Sequence, residues 1–256
     1  MRRVYRILIS TILVLVVFSN MVFAADDSDA LTIVVYGASG KIGGLIVDEA
    51  LERGHTVIGV SRNPGNLTAE HENFSAVQGD VTDVASFTAL ARGADSIAIS
   101  VRGDAGKNEP ENTTHARAAR TAIAALNGMD NAPYVIQVGG ATSVYEDKEE
   151  MIEKLPMPAE PGTPFFAMLL GHLVALEAYR ASDIDWTVIT PAYEITGWTP
   201  QGITATNATG QYRTSTTEHL YDADGKSRID VADLAAAAVD ELENRKFVRQ
   251  RFMIGY

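Results

Sequence analysis

The 256-residue sequence contains no cysteine. It therefore has no disulfide framework, no thiolate nucleophile and no cysteine-based metal site. Basic residues are also scarce, since 21 lysines and arginines face 33 acidic residues and the formal net charge is −12. This balance argues against a nucleic-acid-binding protein and against attraction to anionic lipid. We therefore expect a small-molecule partner and no nucleic-acid partner.

Two patterns that would indicate other chemistries are missing as well. No Gly-x-Ser-x-Gly segment occurs, so the nucleophile turn of a hydrolase is absent. The five histidines show no ligand-like spacing. We therefore predict no metal site.

The first 24 residues have the pattern of a secretory signal peptide. Three arginines lie within the first six residues, an apolar stretch covers residues 7–18, and Val22-Phe23-Ala24 forms the cleavage signal. We predict cleavage after Ala24 and export to the periplasm or the exterior. Cleavage removes three basic residues and no acidic ones, which changes the net charge to −15. An uncleaved membrane anchor is the alternative, because the apolar stretch approaches the ~20 residues that a span needs.

The segment from Leu31 to Gly43 is the most informative stretch of the chain. A continuous apolar run predicts a buried parallel strand, and a GxxGxxG turn and a helical pattern follow it. The first glycine allows a tight turn, the second lets the backbone approach a pyrophosphate, and the third lets the helix pack closely on the strand. Free N–H groups at the helix start favour phosphates. We expect the following residues to bind a dinucleotide: Gly37, Ser39, Gly40, Lys41, Ile42 and Gly43.

The residues after the second predicted strand indicate which dinucleotide is bound. NAD enzymes place an acidic residue there, about 20 residues beyond the glycine turn, to bind the ribose hydroxyl. This chain has Ser61 and Arg62 instead. A serine hydroxyl and an arginine suit a 2′-phosphate. We predict NADP as the cofactor, with NAD as a possible substitute.

Two further pairs complete the predicted cofactor site. Asp80 and Val81 follow the third predicted strand, where they would flank the adenine. Ser100 and Val101 end the fourth strand. Because ligands of open α/β sheets bind outside the carboxyl ends of the strands, this second pair should lie near the ribose or the nicotinamide.

Strand and helix patterns alternate along residues 25–256, which predicts a single α/β domain. We expect a Rossmann-like, doubly wound parallel sheet with helices on both faces. The charged, proline-rich residues 146–162 are predicted to form a surface loop. Residues 194–228 should form a small C-terminal region of loops and short strands over the substrate pocket.

Six segments of the chain together resemble a known family: GASGKIG, SRNP, GDVTD, VGGATSVY, YRASDIDWTVITPA and SRIDVADLAAAAVDELENRKFVRQRFMIGY. They are similar to the atypical short-chain dehydrogenases. More narrowly, they resemble the NmrA-like NAD(P)H-binding proteins and the NADH–flavin reductase-like proteins related to biliverdin reductase B. The resemblance implies a bound nicotinamide cofactor and, as in the reductases, hydride transfer to a flavin or another conjugated acceptor.

The catalytic residues are less clear, because the Tyr-x-x-x-Lys pair of typical short-chain dehydrogenases is missing. Tyr145 and Lys148 are one residue too close together. Ser143 matches a serine of the resembling reductases and would orient an acceptor over the nicotinamide. His172 shares the apolar face of its helix, so a core histidine is favoured over a proton donor.

Two functions therefore remain open at this stage. The first is an NADPH-dependent reductase of a conjugated small acceptor, which needs less acid assistance than a ketone. The second is a non-catalytic NAD(P)-binding redox sensor of the NmrA type. An epimerase or dehydratase is disfavoured by the missing Tyr–Lys pair. We expect a monomer or a homodimer.

Overall fold

The computed structural model describes residues 30–256 except 68, 105–108, 156–158, 200 and 205. The predicted leader, residues 1–24, lies outside the described residues. The first half contains β1 (Thr32–Tyr36), α1 (Lys41–Glu52), β2 (Thr56–Ser61), β3 (Phe74–Gln78), α2 (Val84–Ala91), β4 (Ser96–Ile99), α3 (Thr114–Leu126) and β5 (Tyr134–Val138). The second half contains α4 (Lys148–Lys154), α5 (Pro164–Arg180), β6 (Trp186–Pro191), β7 (Glu194–Thr196), β8 (Trp198–Thr199), β9 (Gly202–Ile203), β10 (Arg213–Ser215), β11 (Arg228–Asp230), α6 (Val231–Asn244) and β12 (Gln250–Gly255).

Eight of these strands form one sheet in the order β10-β12-β6-β5-β4-β1-β2-β3. All neighbours are parallel except β10, which runs antiparallel to β12. The order reverses between β1 and β4, and this reversal is the switch point at which doubly wound sheets bind ligands. The predicted Rossmann-like α/β fold is confirmed.

The strand β1 shows why both faces of the sheet must be covered. Ile33 and Val35 point to the face on which α1 and α6 pack, and Val34 and Tyr36 point to the face covered by α2, α3 and α5. All four are at most 1% exposed. Burial of each such side chain contributes about 1.5–3 kcal/mol, so the continuous apolar run stabilises a central strand.

Helices α2 and α6 are each capped at the amino end by an aspartate. The carboxylate of Asp83 accepts hydrogen bonds from the N–H groups of Ala85 and Ser86, as its position before α2 predicts. Asp230 caps α6 in the same way through Ala232. Each cap satisfies backbone donors that have no partner inside the helix, which stabilises the helix by about 1 kcal/mol.

The prediction of a loop over residues 146–162 was wrong for part of that range, because α4 lies there. Asp147 caps the helix by accepting from the N–H of Glu150. Two glutamates in the first turn and Lys154 in the last turn suit the helix dipole. The high density of charge and proline around this short helix hid these signals.

The described residues of 194–228 form short strands and loops, and their place over a substrate pocket stays a prediction. The strands β7 and β11 pair with each other, β8 and β9 form a hairpin, and β10 extends the main sheet. Asp233 of α6 holds this region by accepting bonds from the N–H groups of Thr209 and Gly210 and from the hydroxyl of Tyr256. Among the described residues, no helix combines the length and the apolar character needed to cross a membrane.

Candidate cofactor-binding site

The glycine turn lies at the switch point, where the backbones after β1 and β4 approach each other. Gly37 has a φ of +81°, and a Cβ there would lie 2.1 Å from the carbonyl oxygen of Ser100. A Cβ at Gly43 would lie 2.1 Å from the carbonyl oxygen of Gly37. No side chain fits at either position, so these two glycines are required by the shape of the turn.

The start of α1 offers backbone donors to a ligand. Gly40 is the N-cap and provides no side-chain bond, and the first helical bond runs from the N–H of Gly44 to the carbonyl of Gly40 at 2.7 Å. The N–H groups of Lys41, Ile42 and Gly43 therefore precede the first intrahelical bond. Together with the positive end of the helix dipole, they suit a pyrophosphate.

A cleft of about 930 Å³ opens at this point, near the upper end of the roughly 300–1,000 Å³ of ligand pockets. It runs from the glycine turn across the carboxyl ends of β2 and β3 and back to β4. Most of the predicted cofactor-binding residues line it: Gly37, Ser39, Gly40, Ser61, Arg62, Asp80, Val81, Ser100 and Val101.

Two serines join the turn after β1 to the end of β2. The hydroxyls of Ser39 and Ser61 lie 3.1 Å apart, and the N–H of Asn63 donates to the Ser61 hydroxyl at 3.2 Å. Arg62 lies between Ser61 and Asn63 at the same edge of the cleft. The arrangement offers hydroxyl, amide and guanidinium donors within three consecutive residues.

Positive charge is concentrated in the cleft although the chain is acidic. Arg62, Arg102 and Arg117 line it, against two aspartates, Asp80 and Asp104. A net excess of arginine in a concave site attracts an anionic ligand. The cleft therefore has the electrostatic character that a dinucleotide phosphate needs.

Asp80 is held in its charged form at the rim of the cleft. Its carboxylate accepts from the N–H and the hydroxyl of Thr82, both at 2.8 Å. These bonds, followed by the charges of Arg117 and Arg62, lower the pKa of Asp80. Arg117 also donates to the Thr82 hydroxyl at 2.9 Å, so the loop that follows β3 is connected to helix α3 across the cleft.

Sequence reasoning missed several lining residues. Asn63 and Asn66 follow β2, and Thr114 and Arg117 lie in the first turn of α3. Thr114 and Arg117 could have been predicted from the sequence, since a helix that follows β4 must begin at the carboxyl edge of the sheet. Residues 114 and 117 are three apart and thus share one face of that helix.

The side chain of Lys41 points away from the cleft, in contrast to its backbone. Its Nζ donates to the carbonyl of Thr199 and lies 4.3 Å from the ring centroid of Trp198. This cation–π contact and hydrogen bond fasten the β8–β9 hairpin to the start of α1. Any cofactor contact of Lys41 in this geometry is made by its N–H.

The two candidate catalytic residues differ in exposure, since Ser143 is buried and His172 is partly exposed. Ser143 is 0% exposed. Its hydroxyl bonds to the carbonyl of Gly140 at 2.7 Å and to the hydroxyl of Thr190 at 2.6 Å. Its hydrogen-bonding capacity is therefore used within the protein, and its role toward an acceptor stays a prediction.

The ring of His172 contacts a second histidine, His115. The rings of His172 and His115 have centroids 3.9 Å apart, and the Nδ1 atoms of both are buried without a hydrogen-bond partner. Burial, and then the neighbouring His115, lower the pKa of His172 well below its usual value. Burial lowers the pKa of His115 to about 4. Both rings are thus neutral at pH 7, which suits the predicted core histidine.

Tyr145 and Lys148 do not form a catalytic pair among the contacts observed. The hydroxyl of Tyr145 bonds to the hydroxyl of Tyr193 and to the carbonyl of Lys154. Lys148 begins α4 and is exposed. Within the described residues, no group of three or more histidines, aspartates or glutamates is placed to hold a metal ion.

Comparisons with known proteins agree with this geometry. A family model described as NAD(P)H-binding matches residues 37–242. The crystal structure of a "putative exported protein" from Burkholderia pseudomallei is 30% identical, has a TM-score of 0.68 and is matched over 88% of this chain and 100% of that chain. The protein YwnB of Bacillus subtilis is 27% identical over 226 residues, which are 86% of this chain and 96% of YwnB.

A third comparison concerns the fold alone. The structure of SP1627 from Streptococcus pneumoniae, described as a putative NADH-flavin reductase, is 23% identical with a TM-score of 0.71, and the match covers 88% of this chain and 99% of that chain. The predicted nicotinamide-nucleotide-binding family is confirmed, whereas the narrower NmrA-like assignment stays a prediction. The chain belongs to the NAD(P)H-binding family.

Proposed function

We propose that this protein is an NADPH-dependent reductase that transfers hydride to a conjugated, flavin-like small acceptor. The observation that carries the proposal is the backbone cradle at the switch point. There, Gly37 and Gly43 leave no room for side chains, and the N–H groups of the first turn of α1 precede the first helical bond. This cradle fits a pyrophosphate, and the cleft beside it is large enough for the nucleoside.

Three features support NADPH over NADH. Ser61, Arg62 and Asn63 stand where NAD enzymes carry an acidic residue. The guanidinium of Arg62 gives a 2′-phosphate a charge-assisted partner. In addition, Arg117 lines the same cleft and adds to its positive charge.

The bound cofactor supplies the hydride, and the protein supplies binding, orientation and exclusion of water. In this site the glycine turn and α1 fix the pyrophosphate, and the carboxyl end of β4 supports the ribose. Tyr145 bonds to Tyr193 and to the carbonyl of Lys154, so it forms no acid–base pair with Lys148. A conjugated acceptor spreads the added charge over its rings and so requires little acid assistance. The SP1627 fold, with its flavin-reductase description, also supports this class of acceptor.

The second candidate is a non-catalytic NAD(P)-binding redox sensor. The observations that limit the catalytic assignment favour the sensor, since the Ser143 hydroxyl is engaged within the protein and the His172 ring is neutral at pH 7. A sensor needs only the cofactor cradle. The two candidates differ in whether bound NADPH is oxidised.

We also propose that the protein is exported, or alternatively membrane-anchored through its leader. The pattern of residues 1–24 supports export, as does the similarity to a Burkholderia protein described as exported. Because nicotinamide dinucleotides are mainly cytoplasmic, the location decides which cofactor pool is available. Cell fractionation with mass measurement of the mature amino terminus tests this: a chain that begins at Ala25 supports export, and an intact leader supports the anchor.

The cofactor proposal is tested by titrating the purified protein with NADPH and NADH. Gly40→Asp should abolish binding of both, because its carboxylate would face the pyrophosphate. Gly40→Ala is the matched control, since it adds the same Cβ, which would lie 3.0 Å from the Gly37 carbonyl oxygen, without the charge. Equal affinity of the wild type and Gly40→Asp would remove the central assignment.

The reductase and the sensor are separated by NADPH oxidation. In the presence of free flavins or quinones, the steady-state rate of NADPH oxidation with the protein should exceed the rate without it by at least tenfold. The variant Gly40→Asp should abolish this increase. Tight NADPH binding with no oxidation by any conjugated acceptor would establish the sensor instead.

A further inference from the structure

The end of the cofactor cleft beyond β3 contains three connected polar side chains, those of Asp80, Thr82 and Arg117. Asp80 and Thr82 lie in the loop after β3, and Arg117 lies in the first turn of α3. All three line the cleft. The guanidinium of Arg117 donates to the Thr82 hydroxyl at 2.9 Å, and that hydroxyl donates to Oδ1 of Asp80 at 2.8 Å. We call these three residues the Arg117 triad.

The hydrogen bonds of the triad use only part of its polar atoms. Oδ1 of Asp80 also accepts from the N–H of Thr82, whereas no hydrogen bond between the described residues reaches Oδ2. Arg117 donates through Nη2, and no bond of that set uses its Nε or Nη1. One acceptor on Asp80 and several donors on Arg117 therefore remain available to a ligand in the cleft.

The two charged groups of the triad influence each other without forming an ion pair. The bonds from Thr82, and after them the charges of Arg117 and Arg62, lower the pKa of Asp80. Neither Asp80 nor Arg117 takes part in the ion pairs of the described residues. Both side chains are exposed, so a ligand in the cleft can reach them.

Apolar side chains lie beside the triad. Val81 separates Asp80 from Thr82 in the sequence and is 7% exposed, and Val101 follows β4 and is partly exposed. Both valines line the cleft. Ligand sites commonly combine apolar surfaces, which hold a ring, with a few polar groups that fix its orientation. This end of the cleft therefore suits a flat heteroaromatic ring.

The polar atoms that remain available indicate which ring fits. A carboxylate oxygen needs a donor from the ligand, and a guanidinium needs an acceptor. Adenine offers both on one edge, because its 6-amino group lies beside N7. A 6-oxo purine offers two acceptors on that edge, O6 and N7, and O6 would face the carboxylate of Asp80. The triad is therefore complementary to adenine.

We propose that Arg117 is a specificity-determining residue of the cofactor site and that it binds the adenine ring from the side of α3, while Asp80 accepts from the 6-amino group. Thr82 holds the two side chains in this arrangement. This inference rests on the proposed binding of a nicotinamide dinucleotide. It gives the two arginines different partners: Arg62 binds the 2′-phosphate, which only NADPH carries, and Arg117 binds the adenine, which NADPH and NADH share.

The test titrates the wild type and Arg117→Met with NADPH, NADH and reduced nicotinamide mononucleotide, and the fluorescence of the nicotinamide ring reports binding. Loss of the charge-assisted bond should weaken both dinucleotides by about tenfold or more, and the two losses should agree within about threefold. The mononucleotide has no adenine, so its affinity should not change. Arg120→Met is the matched control, because Arg120 is exposed on the same helix outside the lining of the cleft.

A second measurement uses the wild type alone and so does not depend on the folding of a variant. Reduced nicotinamide hypoxanthine dinucleotide carries O6 where NADH has the 6-amino group of adenine. It should bind about tenfold more weakly than NADH, because O6 would be brought toward the carboxylate of Asp80.

Four results would each overturn the proposal. In Arg117→Met, these are a loss confined to NADPH, which would assign Arg117 to the 2′-phosphate, unchanged dinucleotide affinity, and an equal loss for the mononucleotide. In the wild type, the fourth is equal binding of the adenine and hypoxanthine dinucleotides. Failure of the proposed function would appear instead as absent binding of NADPH to the wild type, whereas failure of the adenine assignment leaves that binding intact.

Discussion

The carboxyl edge of the sheet has two halves that are built in different ways. The half beyond β1, β2 and β4 is made of backbone, since its shape depends on Gly37 and Gly43 and its donors are N–H groups. The half beyond β5 and β6 is made of side chains, in which Tyr145, Tyr193 and His219 come from distant parts of the chain and are joined by hydrogen bonds. In the function proposed above, the first half holds the cofactor and the second half lies on the side of the acceptor.

This difference predicts how each half responds to mutation. A backbone site has no spare volume, so one added methyl group should affect folding and cofactor binding together. A side-chain site tolerates substitution of single groups and should lose selectivity before it loses stability. The following experiments sharpen or contradict that division, beginning with the largest effect.

The strongest test replaces adjacent glycines of α1. In Gly43→Ala, the Cβ would lie 2.1 Å from the carbonyl oxygen of Gly37, so the turn must shift. We expect a loss of about 3 kcal/mol in the free energy of unfolding, together with loss of NADPH binding. The control Gly44→Ala meets its nearest neighbour at 3.4 Å and gains helix propensity, so it should change stability by less than about 1 kcal/mol. Urea unfolding that gives equal values for the two variants would contradict the backbone description.

The histidine pair beneath the site should make stability depend on pH. Burial lowers the pKa of His115 in the folded protein to about 4 from a usual 6.5, so the unfolded chain binds the proton first as pH falls. Stability is therefore complete above pH 6.5 and is lost as pH falls from 6.5 to 4, by about 3 kcal/mol for this residue alone. His172 acts in the same direction.

Urea unfolding at pH 7, 5.5 and 4.5 measures this loss. His115→Asn cannot titrate and should show a clearly smaller decrease between pH 6.5 and 4 than the wild type. His71→Asn is the control, because His71 is exposed. The same pH slope in all three proteins would show that the histidine pair does not contribute.

Cofactor discrimination should depend on Arg62. Replacing it with glutamate places a negative charge beside the 2′-phosphate of NADPH, and we expect NADPH affinity to fall by about tenfold or more. NADH lacks that phosphate and should lose no more than about threefold. Arg120→Glu makes the same charge change on the exposed side of α3, outside the lining of the cleft. Equal losses of NADPH and NADH in Arg62→Glu would mean that the phosphate lies elsewhere.

The difference between the backbone half and the side-chain half of the edge also explains which features the sequence could predict. The order of strands and helices followed from apolar runs, and the glycine turn followed from its spacing, because both depend on neighbours within a few residues. Asp83 could be identified as a helix cap for the same reason. By contrast, the hydrogen bonds among Tyr145, Tyr193 and His219 join residues that are far apart in the chain, and no local pattern predicts them. Helix α4 was missed because tertiary packing of Met151, which is 0% exposed, helps to stabilise a weak local signal.

The smallest expected effects concern two serines, Ser143 in the half made of side chains and Ser39 in the half made of backbone. Ser143→Ala removes buried bonds to Gly140 and Thr190 and should lower the free energy of unfolding by about 1–2 kcal/mol. Since its hydroxyl is engaged within the protein, NADPH affinity and oxidation should stay within about twofold of the wild type. Ser39→Ala should show the opposite profile, because Ser39 is exposed and lines the cofactor cleft: weaker NADPH binding with stability nearly unchanged. A large loss of turnover in Ser143→Ala, at normal stability, would instead place this hydroxyl in contact with the acceptor.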